Sequence, residues 1–134
     1  MLAAGATVLA LRAAHPDKGA KKADPRGFEL RTYTVPEGKV DALHARFRDI
    51  TRKYFEKHGM TVVGFWNPTD PKEATTKLVY LLAHPSQEAA KKNWKALTED
   101  ADFRAAFAAT EKDGKLVDKV ESVYLNPADY SPLK

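Results

Sequence analysis

Two hydrophobic periods alternate along this chain, and their order limits its fold more than any other feature. A two-residue alternation begins at Phe28, a helical stripe runs from Lys39 to Lys57, and two further strand-like segments follow. A second helical segment after Ser86 leads to a last alternating segment near Asp118. This β-α-β-β-α-β order is typical of the ferredoxin-like α+β fold, in which two main helices cover one face of an antiparallel sheet.

The predicted bounds depend on residues that end regular structure. Gly59 favours the left-handed cap conformation after the first helix. Prolines between residues 67 and 71 lack the donor that a strand needs. Ser86 is a suitable N-cap, and residues 98–100 cap a further short helix. We predict strands over residues 28–35, 61–66, about 75–84 and about 118–125, and one α-helix over about 39–57.

The apolar faces of the predicted sheet indicate an assembly. The run from Leu78 to Ala83 is unbroken, which predicts a strand covered on both faces. The last strand has Val123 and Leu125 on one side, and Val120 and Tyr124 on the other. Two helices cover only one face, so a large apolar face would stay exposed in a monomer. We therefore expect a two-fold homodimer with its sheets packed face to face, which Val123→Arg should disrupt.

Composition and charge argue against several kinds of partner. Residues 1–27 hold five basic and two acidic side chains, so they carry most of the net charge of +4. A nucleic-acid-binding domain would carry its excess charge on the folded part, so we expect no nucleic-acid partner. The chain has no cysteine, and its four histidines lack the spacing of metal ligands. We therefore predict neither a metal nor a cofactor.

Residues 1–27 are predicted to lie outside the domain, which we place at residues 28–134. Met1 to Ala14 is rich in alanine, leucine and valine, but Arg12 interrupts it. The segment is too short to span a bilayer, so we expect no stable membrane span. It is either a disordered tail followed by a linker or a truncated export signal. The protein would be cytoplasmic in the first case and exported in the second.

Several short motifs resemble those of one known domain. The first strand carries Glu29-Leu30-Arg31 followed by Tyr33, and the first helix ends with His58-Gly59. The next strand carries Gly64-Phe65-Trp66. In this order the motifs resemble the NIPSNAP domain, from Phe28 to about Tyr130. The resemblance implies a dimeric α/β barrel, and therefore a homodimer, but it implies no particular reaction.

The candidate site residues lie on the predicted strands. Glu29, Arg31 and Tyr33 share one strand face, so they either line a pocket for a small polar ligand or form a structural ion pair at the dimer seam. Trp66 either lines the pocket or packs in the core. His84 is a candidate general base because it ends a strand, where pocket residues often lie. The predicted pocket consists of Glu29, Arg31, Tyr33, Trp66, Tyr80 and His84, with His84 and Tyr33 as candidate catalytic residues.

Two functions from different classes remain open. The first is a NIPSNAP-like dimeric module that binds a small ligand or a protein partner. The second is a cofactor-independent monooxygenase or isomerase-like enzyme that uses the barrel cavity, since dimeric α/β barrels also include such enzymes. The orientation of the first strand separates them. Glu29, Arg31 and Tyr33 directed into the barrel would favour an enzyme, whereas the same residues directed at the helices would remove polar groups from the pocket.

Overall fold

The computed structural model describes residues 26–134. Its strands form one antiparallel sheet in the order β2-β3-β1-β4, which confirms the predicted ferredoxin-like α+β fold. The tail, linker or export signal is predicted over residues 1–27, and its residues 1–25 lie outside the described residues. Gly27, at the end of that range, already begins β1. In chain order the elements are β1 (Gly27–Thr34), α1 (Val40–Arg46), a π-helical segment (Phe47–Thr51), α2 (Arg52–Lys57), β2 (Thr61–Trp66), α3 (Pro71–Ala74), β3 (Lys77–His84), α4 (Gln87–Glu99), α5 (Ala101–Thr110) and β4 (Lys119–Leu125).

The register of the sheet assigns each strand residue to one of two faces. Residues opposite each other in a ladder share a face, and Arg31 lies opposite both Tyr80 and Ser122. Tyr80 is fully buried in the core with side chains from α1, α2, α4 and α5, so this is the helix-facing side. The other side, which we call the open face, carries Leu30, Trp66, Val79, Leu81, Val123 and Leu125.

The hydrophobic core lies between the helices and the helix-facing side of the sheet. The Phe47 ring centroid lies 5.2 Å from that of Tyr80 and 5.6 Å from that of Tyr33. Aromatic pairs at such distances contribute about 0.5–1.5 kcal/mol each beyond the area they bury. The other buried members of the core are Val35, Leu43, Phe55, Met60, Leu78, Leu82, Leu97, Phe103 and Leu116.

The first predicted helix is interrupted by a π-helical turn at residues 47–51, so the prediction of one regular α-helix is wrong there. An α-helix turns slightly more than once in four residues. Phe47, Thr51 and Phe55 would therefore drift around a regular helix. The wider π turn, with i→i+5 hydrogen bonds, offsets this drift. All three side chains consequently reach the same space between the helix and the sheet.

The remaining helices begin at capping side chains. Ser86 accepts a hydrogen bond from the Ala89 amide at the start of α4, as predicted. Asp70 caps the single turn α3, which the sequence prediction lacks because a four-residue helix shows no periodicity. Every helix in residues 26–134 is too short or too polar to cross a lipid bilayer.

Candidate functional site

A buried carboxylate, that of Glu29, joins three strands to a helix on the helix-facing side. Its exposed fraction is 0%. Oε1 accepts hydrogen bonds from Trp94 Nε1 at 2.7 Å and from His84 Nε2 at 2.9 Å. Oε2 accepts from Arg31 Nη1 at 2.7 Å and from Ser122 Oγ at 2.8 Å. The donors come from α4, β3, β1 and β4, so Glu29 is the centre of a network that we call the Glu29 network.

The four donors keep Glu29 ionised. Burial would raise its pKa, but the hydrogen bonds from His84, Trp94, Arg31 and Ser122 outweigh burial and lower the pKa from 4.5 to about 2. A carboxylate can only accept hydrogen bonds, so His84 Nε2 carries a proton. His84 Nδ1 is buried and has no hydrogen-bond partner among the described residues. The network therefore holds a negative charge at neutral pH beside the cation of Arg31.

Arg31 is held between this carboxylate and two aromatic rings. Its guanidinium carbon lies 4.2 Å from the centroid of the Trp94 ring and 5.7 Å from that of Tyr33, within the range of cation–π attraction. Burial would lower the pKa of Arg31, but the hydroxyls of Tyr80 and Tyr33 and the carboxylate of Glu29 raise it. Tyr33 and Tyr80 share a hydroxyl–hydroxyl hydrogen bond of 2.8 Å. Burial raises the pKa of Tyr80, so this hydroxyl stays protonated.

A cavity of about 140 Å³ lies beside the Glu29 network, between the sheet and the helices. Its wall combines a few polar groups with aromatic and aliphatic side chains, as small-molecule sites do. The polar lining comes from Tyr33, Arg46, Thr51, Trp94 and Thr98, and the apolar lining comes from Phe47, Phe55, Leu97, Phe103 and Phe107.

Arg46 places a positive charge in the wall of this cavity. Only 3% of the residue is exposed, and its guanidinium carbon lies 4.1 Å from the centroid of the Phe107 ring. Arg46 Nη1 lies 3.5 Å from Glu111 Oε2 and 3.5 Å from Thr110 Oγ1, which is beyond the usual hydrogen-bond length. Burial lowers the pKa of Arg46, and the Glu111 carboxylate opposes this change in part. The cation is therefore buried but only loosely paired.

The cavity adjoins a wider recess of about 600 Å³ on the outer surface of α4 and α5. Thr98, Phe103 and Phe107 line both spaces, so these side chains separate the cavity from the outside. Thr98 is itself exposed to solvent.

The six predicted pocket residues divide between the two faces of the sheet. Trp66 lies on the open face and is 50% exposed, so it is neither in the core nor beside the others. A Cβ added to Gly64 would lie 2.7 Å from the Trp66 ring, so this glycine leaves room for a neighbouring ring. Tyr33 lines the cavity, and four residues belong to the Glu29 network or contact it: Glu29, Arg31, Tyr80 and His84.

The strand face that carries Glu29 is directed at the helices, yet the space on that side keeps polar groups. From the sequence alone, this orientation predicts a pocket without polar groups. The difference arises because Arg46 and Trp94 come from the helices, and neither is in the predicted pocket. Trp94 lies on the apolar stripe of the helical segment after Ser86, and such a stripe by itself indicates packing. Arg46 stands between Leu43 and Phe47 on such a stripe, and this misplaced charge is the signal that could have identified it.

A second polar cluster joins the end of α2 to the start of α5. Lys57 Nζ and His58 Nε2 both lie 2.7 Å from Asp100 Oδ2. Asp100 Oδ1 accepts from the amides of Asp102 and Phe103, so the same side chain caps α5. The role of this cluster is structural. In residues 26–134 no group of three or more histidine, aspartate or glutamate side chains is placed to hold a metal ion.

Comparison with known proteins gives one family. The NIPSNAP family model matches residues 28–132. A NIPSNAP family protein of unknown function from Agrobacterium tumefaciens superposes with a TM-score of 0.71 and 20% identity, over 84% of this chain and 97% of that chain. An uncharacterised NIPSNAP domain protein from Burkholderia xenovorans superposes with a TM-score of 0.67 and 21% identity, over 79% and 98%. Comparison with curated protein sequences gives no match.

A more distant structure is similar in fold. It is a monooxygenase from the gene ActVA-Orf6 of Streptomyces coelicolor, in complex with the ligand Nanaomycin D. Its TM-score is 0.53 at 17% identity, over 78% of this chain and 88% of that chain. At such low identity the likeness establishes the fold and not the activity.

Proposed function

The chain belongs to the NIPSNAP family, and from this premise we propose that it is a homodimeric module that binds a small organic molecule between its sheet and its helices. The observation that supports the proposal is the mixed wall of the cavity, which Arg46, Thr51 and Tyr33 share with phenylalanine rings. A cavity of about 150 Å³ lined by apolar side chains can hold benzene. The cavity here, at about 140 Å³, suits a ligand with a single ring or a short chain.

The open face supports the dimeric part of the proposal. Trp66 and Val123 are 50% and 51% exposed there, and Leu125 is exposed as well. Large apolar side chains gathered on one sheet face favour burial against another surface. A second copy with its sheet packed about 10 Å away would bury them on both sides of a two-fold axis. The helix-facing cavities would then lie on the outer layers of the dimer.

Native mass spectrometry tests both parts of the proposal. The protein would be purified gently from its own host, and the mass of the intact assembly would be compared with that of the denatured chain. We expect a dimer with a reproducible additional mass for each filled cavity. A dimer without additional mass, which also takes up no small organic molecule when these are added, would favour a module that binds a protein partner instead.

Two variants locate the retained molecule. Thr98→Trp places a large side chain at the boundary between cavity and recess, so it should reduce the additional mass. Ala96→Trp is the matched control, because Ala96 is exposed on the same helix and lines neither space. Equal retention by both variants would place the molecule elsewhere.

A cofactor-independent monooxygenase or isomerase-like enzyme is the second candidate. The fold similarity to the monooxygenase and the Tyr33–Tyr80 hydroxyl pair at the cavity favour it. Tyr33 lines the cavity, whereas His84 is buried with Nε2 bonded to Glu29, so the phenol is the better placed of the two candidate catalytic groups. An oxygen electrode would measure oxygen consumption on addition of small phenols. Consumption that is lost in Tyr33→Phe and kept in Tyr130→Phe would support this candidate.

A further inference from the structure

We propose that the molecule bound in this cavity is a small monocarboxylate whose carboxylate group pairs with Arg46, an inference that rests on the proposed function. Two arginines between the sheet and the helices, the half-buried Arg31 and the buried Arg46, differ in a way that points to it. Arg31 contacts a carboxylate oxygen at 2.7 Å, whereas Arg46 reaches its acidic neighbour only at 3.5 Å. Arg31 therefore has its anion within the chain, and Arg46 does not have a close one among the described residues.

The donor capacity of Arg46 is largely unused. A guanidinium carries five N–H donors, and both polar contacts of Arg46 within the described residues involve Nη1 alone. Among the described residues, only Arg31 Nε and His84 Nδ1 are fully buried side-chain polar atoms without a partner. The Arg46 nitrogens that make no hydrogen bond therefore keep some accessible surface, where a ligand can reach them. A planar carboxylate matches the guanidinium fork with two parallel hydrogen bonds. A ligand carboxylate would therefore complete the environment that Glu111 satisfies only in part.

The rest of the wall defines the size and charge of the ligand. The side chains beyond Arg46 include Phe55, Leu97 and Phe103, which offer apolar surface and no further cation. Glu111 already offsets part of the charge of Arg46, so the site favours one negative charge over two. The volume of about 140 Å³ excludes large polycyclic molecules. An aromatic monocarboxylate with one ring, or a short aliphatic one, fits these conditions.

Benzoate and benzamide are suitable probes, because they have nearly the same shape and differ in charge. Their affinities for the full chain would be measured by isothermal titration calorimetry. We expect benzoate to bind about tenfold or more tightly than benzamide, since hydrogen bonds between charged groups are stronger than neutral ones. Arg46→Gln should remove this preference. Arg48→Gln is the control, because Arg48 is exposed on the same helical stretch and does not line the cavity.

A second variant guards against loss of structure in Arg46→Gln. Glu111→Gln removes the competing negative charge and keeps an oxygen that can accept from the Leu116 amide. It should increase the affinity for benzoate several-fold and leave that for benzamide unchanged, and misfolding cannot produce such a gain. Equal affinity of the wild-type protein for both probes would overturn the carboxylate inference while small-molecule binding in the cavity stands. Failure of both probes to bind would also overturn the carboxylate inference. The additional mass in native mass spectrometry would then test the proposed function separately.

Discussion

The substitution Glu29→Gln would remove the charge from the most densely bonded side chain of the helix-facing side while keeping its shape. The carboxylate accepts four hydrogen bonds, from Trp94, His84, Arg31 and Ser122. A glutamine has one acceptor oxygen, so its NH₂ group would take the place of the other carboxylate oxygen and would face the two donors bonded there. The hydroxyl of Ser122 can turn to accept, but the guanidinium of Arg31 cannot. Arg31 would therefore stay largely out of water without its anion.

The pKa of Glu29 and the general cost of breaking a buried ion pair give similar values for the unfolding free energy that Glu29→Gln would lose. The lowering of the Glu29 pKa from 4.5 to about 2 corresponds to roughly 3 kcal/mol of stabilisation at neutral pH. Removal of one partner from a buried ion pair costs about 3–5 kcal/mol. Domains of this size unfold with a free energy of about 5–15 kcal/mol. We therefore expect Glu29→Gln to remain folded at pH 7 but to lose a large part of its stability.

The dependence on pH identifies the charge as the cause. Because the pKa of Glu29 is lower in the folded state, its contribution is complete above about pH 4.5 and is lost as the pH falls towards 2. The difference in unfolding free energy between the wild-type protein and Glu29→Gln should therefore shrink from about 3 kcal/mol at pH 7 to about 1–2 kcal/mol at pH 3.

Urea denaturation at both pH values, followed by circular dichroism, measures this difference. Glu88→Gln is the control, because Glu88 is exposed on α4 and its nearest cation, Lys92, is 3.8 Å away. This control should change the unfolding free energy by less than about 1 kcal/mol. If Glu29→Gln were equally destabilised at pH 7 and pH 3, the ionised carboxylate would not be the source of the stability.

Three further predictions concern other parts of the molecule. Val123→Arg should convert the proposed dimer to a monomer in sedimentation velocity, because the dimer would have to bury a charge at the open face. The control Val120→Arg, on the other face of β4, should stay dimeric. A fully dimeric Val123→Arg protein would place the seam elsewhere. Asp100→Ala should lower the midpoint of thermal unfolding relative to Asp102→Ala, since α5 loses its cap and Lys57 and His58 lose their partner. Equal midpoints for the two variants would contradict the role of Asp100 as cap and ion-pair partner. Gly64→Ala should displace the Trp66 ring and shift tryptophan emission. The loss of stability should be small, because the ring is half exposed. Unchanged emission would argue against the close contact between residue 64 and the ring.

Features that follow strict sequence rules, such as strand alternation and helix caps, could be predicted well. The bounds of β2 agree with the prediction, and Ser86 caps α4 as predicted. Asp100, within the predicted cap at residues 98–100, caps α5. The strand period of two is set by the pleat, so apolar alternation assigns residues to faces reliably. The π turn was missed because apolar spacing along a helix is only approximate. Its one trace in the sequence is the adjacent pair Tyr54 and Phe55, which both pack inwards and interrupt the regular spacing.

The candidate site was predictable only from the strand side. Alternation correctly groups Glu29, Arg31 and Tyr33, but it does not determine whether their face meets helices or a second sheet. That choice depends on which helix side chains reach them, and Trp94 does so from α4, more than sixty residues later in the chain. Arg46 interrupts an apolar stripe, and a stripe with one charge is normally assigned to packing. When a pocket is lined by both a sheet and helices, the sequence pattern of either element identifies only the residues that this element contributes.

The two tryptophans stand in the two layers of the fold, Trp66 half exposed on the open face and Trp94 beside Arg31 and the cavity. The protein consequently carries two native fluorophores that report on different events. Burial of Trp66 on self-association should move its emission to shorter wavelength, whereas a molecule entering the cavity would change the quenching of Trp94. With Trp66→Phe and Trp94→Phe as single-emitter variants, the two processes can be followed separately in solution, without a chemical label.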